Sequence, residues 1–194
     1  MSSQADIPLP KMMLTLPRDA RGLPIPFVVL RGKDGMPHFT INDQGKSRKC
    51  ITKKLCAICG KRMHGGFWFV GGLRCFLHEH GAFFDPPMHL ECAEYALQVC
   101  PFLAASKYIR RVGTAKLAHN RMPSGAAILE NQEEEEALPE RFGLGYTLSY
   151  RLTIISQFEK YFVVDDWRYI EWWKVGHPCD APATGESPLV WWRE

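Results

Sequence analysis

The chain has 194 residues, 46% of them hydrophobic and 23% charged, a balance expected of a globular domain with one real core or two small ones. No apolar run approaches the roughly 18 residues needed to cross a bilayer, which argues against a membrane partner. The net charge of +3 conceals an uneven split: residues 1–121 hold 18 Lys/Arg against 8 Asp/Glu, and residues 122–194 hold 6 against 13.

An asymmetry of that kind suits a nucleic-acid-facing side, an acidic partner, or two halves that attract each other. The opening Met1-Ser-Ser-Gln-Ala-Asp lacks a basic flank followed by an apolar stretch, so a cytoplasmic chain is expected. In a reducing compartment, close cysteine pairs favour metal over disulfides.

Pro8, Pro10, Pro17, Pro24 and Pro26 make the first residues an extended arm. Phe27-Val-Val-Leu30 and His38-Phe-Thr-Ile41, with an Asp-Gly turn between, predict a β-hairpin. A basic stretch follows, with a short helix from about Gly45, and these elements make up a first segment, 1–54. The second, 55–111, is the expected zinc-binding core, extended by a helix from Phe102. Residues 112–141, with the Glu133–Glu136 run, are expected to form an acidic, polar linker.

The last segment, 142–194, is expected to be a small β/helix unit with a Trp-rich tail. Its β-rich run Tyr146–Ile155 would pair with Tyr161–Val164. Asp165 or Asp166 would cap a helix Trp167–Val175 that stops at Gly176. Trp167 and Trp172 or Trp173 would pack its core.

The strongest chemical signal is Cys56-Ala-Ile-Cys59-Gly60, followed by Phe67–Val70, Gly71-Gly72, Leu73–Phe76, and then Asp85-Pro-Pro-Met-His89-Leu-Glu-Cys92. Two cysteines three apart and a glycine make a tight knuckle whose amides can face the sulfurs. The β-rich runs about Gly-Gly predict a hairpin. Pro86-Pro87 lead into a helix whose opening turn presents His89 and Cys92 on one face, where its positive end favours a thiolate. Knuckle, hairpin and helix in that order predict an α+β protein built on a treble-clef zinc finger, with one structural Zn²⁺ on Cys56, Cys59, His89 and Cys92. Cys75 and Cys100 read as core residues and Cys179 as a free thiol; Cys50 is the one substitute ligand.

The Cys-x-x-Cys-Gly run, the aromatic hairpin, Pro-Pro-x-His-x-x-Cys-Ala at 86–93 and Cys100-Pro-Phe-Leu103 together resemble an uncharacterised family of small bacterial and phage-encoded zinc-binding proteins. Leu16-Pro-Arg-Asp-x-x-Gly22-x-Pro24 and Glu171-Trp-Trp-Lys-x-Gly176 extend the likeness over most of the chain. The resemblance implies a bacteriophage or mobile-element setting, and no activity comes with it. The Glu133–Glu136 run and the short Trp-rich end depart from the family pattern.

Three functional classes fit these residues. Between Asp43 and Glu79 there is no acidic residue, while Lys46, Arg48, Lys49, Lys53, Lys54, Lys61, Arg62 and Arg74 all fall there. With Arg110 and Arg111 further on, they make candidate contacts for nucleic acid or a nucleic-acid-associated protein. A metal-dependent nuclease of the HNH or His-Me finger type would need a histidine base. His78 and His80 are the candidates, with Glu79 or Asp85 as metal ligands, although the rest of that motif is missing. A protein–protein inhibitor of a host or defence factor would require the tail tryptophans to be exposed. No small-molecule substrate is expected, and the closed ligand set favours binding over catalysis.

Overall fold

The computed structural model describes residues 7–77, 82–104, 141–154 and 160–182. A 3₁₀ turn at Lys11–Met13 precedes the predicted hairpin, formed by β1 (Val29–Arg31) and β2 (Pro37–Asn42). Helix α1 (Gln44–Lys53) starts at Asp43, whose carboxylate accepts from the Lys46 amide, and ends at Lys54 in a left-handed turn. Then come β3 (Phe67–Gly72), α2 (Leu73–Leu77) and α3 (Leu90–Val99). The remaining elements are β4 (Phe142–Thr147), β5 (Arg151–Ile154), β6 (Lys160–Val163), β7 (Tyr169–Lys174) and β8 (His177–Cys179). The fold is thus mixed α+β.

Its centre is an antiparallel sheet ordered β3-β4-β7-β8, one strand from the 55–111 segment and three from 142–194. Alternation sends successive side chains to opposite faces, and both faces are covered. On one side Leu144, Phe142 and Trp173 pack with Tyr95, Leu97 and Val99 of α3. On the other, Phe69, Ile170 and Trp172 meet Phe76 of α2, Phe83 and Phe162. Phe69 and Phe162 are each 1% exposed, and burial of a side chain of that size contributes about 1.5–3 kcal/mol.

Three expectations are corrected. The hairpin about Gly71-Gly72 does not form: β3 runs through both glycines, Leu73–Leu77 is helical, and the partner of β3 is β4, with Gly71 opposite Gly143. Leu73, Phe76 and Leu77, spaced i, i+3 and i+4, lay one apolar face of α2 on the sheet. Cys75 accordingly lies in a helix, half-buried.

The expected helix Trp167–Val175 is replaced by strand β7, because Ile170 and Trp172 face one core while Trp173 faces the other. The proposed caps are engaged elsewhere: Asp165 pairs with Arg151 through two bonds of 2.6 Å, and the Asp166 carboxylate pairs with Arg168 at 3.2 Å. Finally, Tyr146–Ile155 is not one strand. It breaks after Thr147, whose buried hydroxyl is 2.8 Å from the Ser149 carbonyl and accepts from the Ser149 amide. Only β5, beyond the break, pairs with β6.

The helix expected from Phe102 does not begin there, since Phe102–Ala104 is turn; its remainder, linker residues 112–140 and the tail tryptophans Trp191 and Trp192 lie outside the described residues. No helix among the described residues is long and apolar enough to cross a membrane.

Candidate metal centre

The knuckle is closed by backbone bonds that its sequence permits. Leu55 bridges Arg62, the Cys56 amide donates to the Lys61 carbonyl at 2.8 Å, and the Gly60 amide to the Cys56 carbonyl at 2.9 Å. Gly60 has φ of 71°, and a Cβ there would come within 2.8 Å of the Phe27 ring. That ring belongs to a brace: the amides of Phe27 and Val28 donate to the carbonyls of Ile58 and Ala57 at 2.7 and 2.9 Å.

The second ligand pair is set by β3. Trp68 and Met88 exchange backbone bonds of 3.2 and 2.9 Å, and the Ala57 amide donates to the Pro87 carbonyl at 3.0 Å. This holds the Pro86-Pro87 approach against the knuckle. His89 is then the N-cap of α3, in extended backbone, and Cys92 falls in the helix's first turn.

The four side chains converge. One ligand atom from each of Cys56, Cys59, His89 and Cys92 lies within 4.8 Å of the others, so the cluster could hold one metal ion. Cys59 Sγ is 3.3 Å from His89 Nδ1. Two donors sharing one tetrahedral ion with Zn–S near 2.3 Å and Zn–N near 2.0 Å stand about 3.5 Å apart. The other ring nitrogen, Nε2, is 3.2 Å from the Arg62 carbonyl, an acceptor that fixes the ring and leaves Nδ1 as donor atom to a metal. Cys56 and Cys92 have no exposed surface, and Cys59 is 7% exposed.

Hydrogen bonding prepares the sulfurs for a cation. Burial opposes ionisation of Cys56, but bonds from the Cys59 and Cys92 thiols and from the Cys59 and His89 amides outweigh it and bring its pKa down to about 3. Cys92 is correspondingly pushed up, first by its bond to Cys56, then by its bond to Cys59 and by burial. The bond to Cys59 raises His89 above the ordinary histidine value, although burial opposes it. A bound cation would take the place of these shared protons.

The other cysteines stand apart. Cys50, the substitute ligand by sequence, is fully buried on α1 and is not among the four converging groups. Burial, followed by the charges of Cys56 and Cys59, pushes its thiol up to about 12. Cys100 is the C-cap of α3 and Cys179 lies on β8, both half-buried.

The candidate nucleic-acid contacts are not all equivalent. Arg48, Lys49 and Lys53 are exposed on α1, as are Lys54 beyond it and Lys61 and Arg62 on the knuckle; Arg74 is exposed on α2. Lys46 turns inward, donating to the Val29 carbonyl at 2.9 Å with its ammonium 5.9 Å from the Phe27 ring centre, and burial lowers its pKa. Arg110, Arg111, His78, Glu79 and His80 lie outside the described residues. Asp85 accepts a 2.7 Å bond from Asn42 Nδ2.

Sequence spacing did not reveal the Phe27 brace or the Arg62 carbonyl. A glycine directly after the CxxC pair is the only hint that something presses on that turn. Fold and site together define an α+β protein with a Cys₃His cluster of one-ion dimensions, its three cysteines buried and its histidine half-buried. No family model matches the chain, and no curated protein or solved structure matches it either.

Proposed function

We propose that Cys56, Cys59, His89 and Cys92 hold one structural Zn²⁺, and that this treble-clef-like unit is a platform for binding nucleic acid or a nucleic-acid-associated protein. Three thiolates and one imidazole suit zinc better than harder cations. Four protein ligands close a tetrahedral shell, leaving no position for water or substrate, so the metal's role is structural. The treble-clef reading rests on the order knuckle, β3 paired with the approach to α3, then α3 carrying the second ligand pair.

The observation that carries the binding reading is a group of exposed basic residues on α1 and on the knuckle that follows it. At 100° per residue, Arg48, Lys49, Thr52 and Lys53 occupy one side of α1, and all four are exposed. Lys54 follows directly, its carbonyl accepting from the Met63 amide at 2.9 Å, while Leu55 bridges Arg62; Lys61 and Arg62 therefore adjoin the same surface. Such clustering supplies salt-sensitive phosphate contacts. The motif likeness noted above supports a phage or mobile-element protein working in the host cytoplasm.

The test is metal analysis of the purified protein together with retention of labelled DNA and RNA over a salt series. One zinc per chain and retention that falls steeply with salt are expected. Mg²⁺-dependent cleavage lost in His78→Ala or His80→Ala would replace this reading with the nuclease. Indifference to nucleic acid at low salt, with one host protein co-purifying, would replace it with the inhibitor.

A further inference from the structure

We infer that the end of the central sheet formed by Trp68, Tyr146 and Tyr169, bordered by Glu91, Glu94 and Glu171, is a docking surface for an arginine-bearing basic polypeptide segment. It lies on different residues from the basic surface of α1 and the knuckle and does not depend on nucleic-acid binding.

The three aromatics form a row across three adjacent strands. Trp68 is directly opposite Tyr146, and Tyr146 is directly opposite Tyr169. The Trp68 and Tyr146 rings are 4.9 Å apart and tilted by 36°; those of Trp68 and Tyr169 are 6.0 Å apart and edge-on at 73°. Tyr146 is fixed by a 2.6 Å bond from its hydroxyl to the Gly65 carbonyl. Tyr169 is 40% exposed on β7, a strand paired on both sides. Little conformational freedom remains to be lost when a ligand covers it.

Three carboxylates lie beside the row, while the nearby cation Arg168 is paired with Asp166 at 3.2 Å. Glu171 is two residues from Tyr169 and so lies on the same side of β7. Glu91 and Glu94 are one turn apart on α3, which packs on that side. Glu94 lies close enough to feel the charges of Glu171 and Glu91, and Tyr169 those of Glu171 and Glu94. One Glu171 oxygen accepts from Trp173 Nε1 at 3.0 Å. Among the described residues, no Lys, Arg or His forms an ion pair with any of the three carboxylates.

Electron-rich ring faces beside carboxylates that form no ion pair favour a cation and repel phosphate. A guanidinium fits better than an ammonium, because its plane stacks on a ring while its edge donates two bonds to a carboxylate. This complementarity selects a basic polypeptide over nucleic acid for this surface.

The experiment is fluorescence anisotropy of a labelled hexa-arginine peptide titrated with the full-length protein at low salt, with hexa-lysine and hexa-glutamate as comparisons. Hexa-arginine is expected to bind most tightly and hexa-glutamate not at all. Tyr169→Ala should weaken binding about 5- to 10-fold, whereas Tyr169→Phe, which keeps the ring, should remain within about 2-fold. Glu94→Gln with Glu171→Gln should also weaken binding and reduce its salt dependence, and this pair decides the matter if Tyr169→Ala does not fold. Unchanged affinity in these variants, as expected if the Glu133–Glu136 run captures the peptide, overturns the inference. So does absence of binding by the unaltered protein, or tighter binding of a labelled oligonucleotide that Tyr169→Ala abolishes.

Discussion

His89 sits between two partners, with Nδ1 3.3 Å from Cys59 Sγ and Nε2 3.2 Å from the Arg62 carbonyl. The imidazole thereby ties the α3 entry to the knuckle by both of its nitrogens, one through the ligand sphere and one through the backbone behind it. Cys56 does the same from the other side, accepting from the amides of Cys59 and His89 at 3.5 and 3.4 Å. The centre reinforces a junction between knuckle and α3 entry that the Ala57–Pro87 backbone bond and shared apolar packing also make.

Loss of the metal should therefore loosen more than the ligands. Zinc binding at small structural sites is worth about 10–16 kcal/mol, comparable with the roughly 5–15 kcal/mol total stability of a domain. Cys56→Ser or Cys92→Ser, or a chelator with reductant, should abolish cooperative thermal unfolding and the helical circular dichroism of α3. A variant that retains both, with no zinc bound, would remove the metal from the architecture.

Proton competition gives a second prediction. Metal uptake needs thiolates and a neutral imidazole, but in the metal-free protein the bond to Cys59 holds His89 above its ordinary 6.5. The stabilisation from that protonated pair is complete below pH 6.5 and is lost as pH rises through the raised value. Protons thus oppose the metal from above pH 6.5 downward. Zinc affinity in chelator competition should fall as pH drops through the raised His89 value, and His89→Asn should bind more weakly with a shallower dependence. A flat profile would exclude His89 as a ligand.

The four converging groups were legible because paired Cys/His spacing is a local property: Cys56-x-x-Cys59 and His89-x-x-Cys92 each occupy one turn. What lay across the chain was not. Gly71-Gly72 reads locally as a turn, yet a Cβ at Gly71 would come within 2.8 Å of Cys75 Cβ and of the Phe83 ring. The glycine provides clearance for a packed helix, and no neighbour in sequence announces that. Tyr169–Lys174 likewise has an apolar spacing compatible with a helix, because a strand buried on both faces loses simple alternation. Pairing with β4, far away in sequence, decides it.

The basic surface makes a third prediction. Arg48→Glu, Lys49→Glu and Lys53→Glu change exposed side chains of α1 and should leave zinc content and melting temperature nearly unchanged. Each phosphate contact removed should lower the salt slope of nucleic-acid binding by about 0.9 for duplex DNA. Lys46→Gln should act in the opposite manner, affecting stability more than binding, since its ammonium is bound to the Val29 carbonyl. If the three reversals leave retention unchanged, the α1 surface is not the contact.

The glycines of β4 allow the sheet to be tested independently of the metal. A Cβ at Gly145 would lie 2.4 Å from the Trp167 ring and 2.5 Å from that of Phe76; one at Gly143 would lie 2.5 Å from Phe76. These rings are packed against Phe83 and Trp172, so they have no free direction in which to retreat. Overpacking of this kind costs about 1–3 kcal/mol, and melting temperature falls by roughly 2–4 °C per kcal/mol in a domain of this size. Gly145→Ala and Gly143→Ala should each melt roughly 2–12 °C lower. Phe76→Leu should recover part of the loss in Gly143→Ala while destabilising the unaltered protein, a coupling that identifies the contact. Zinc stoichiometry should not change, because this core and the α3 core that carries Cys92 are on opposite faces of the sheet. Loss of metal in either variant would instead mean that the two layers unfold as one.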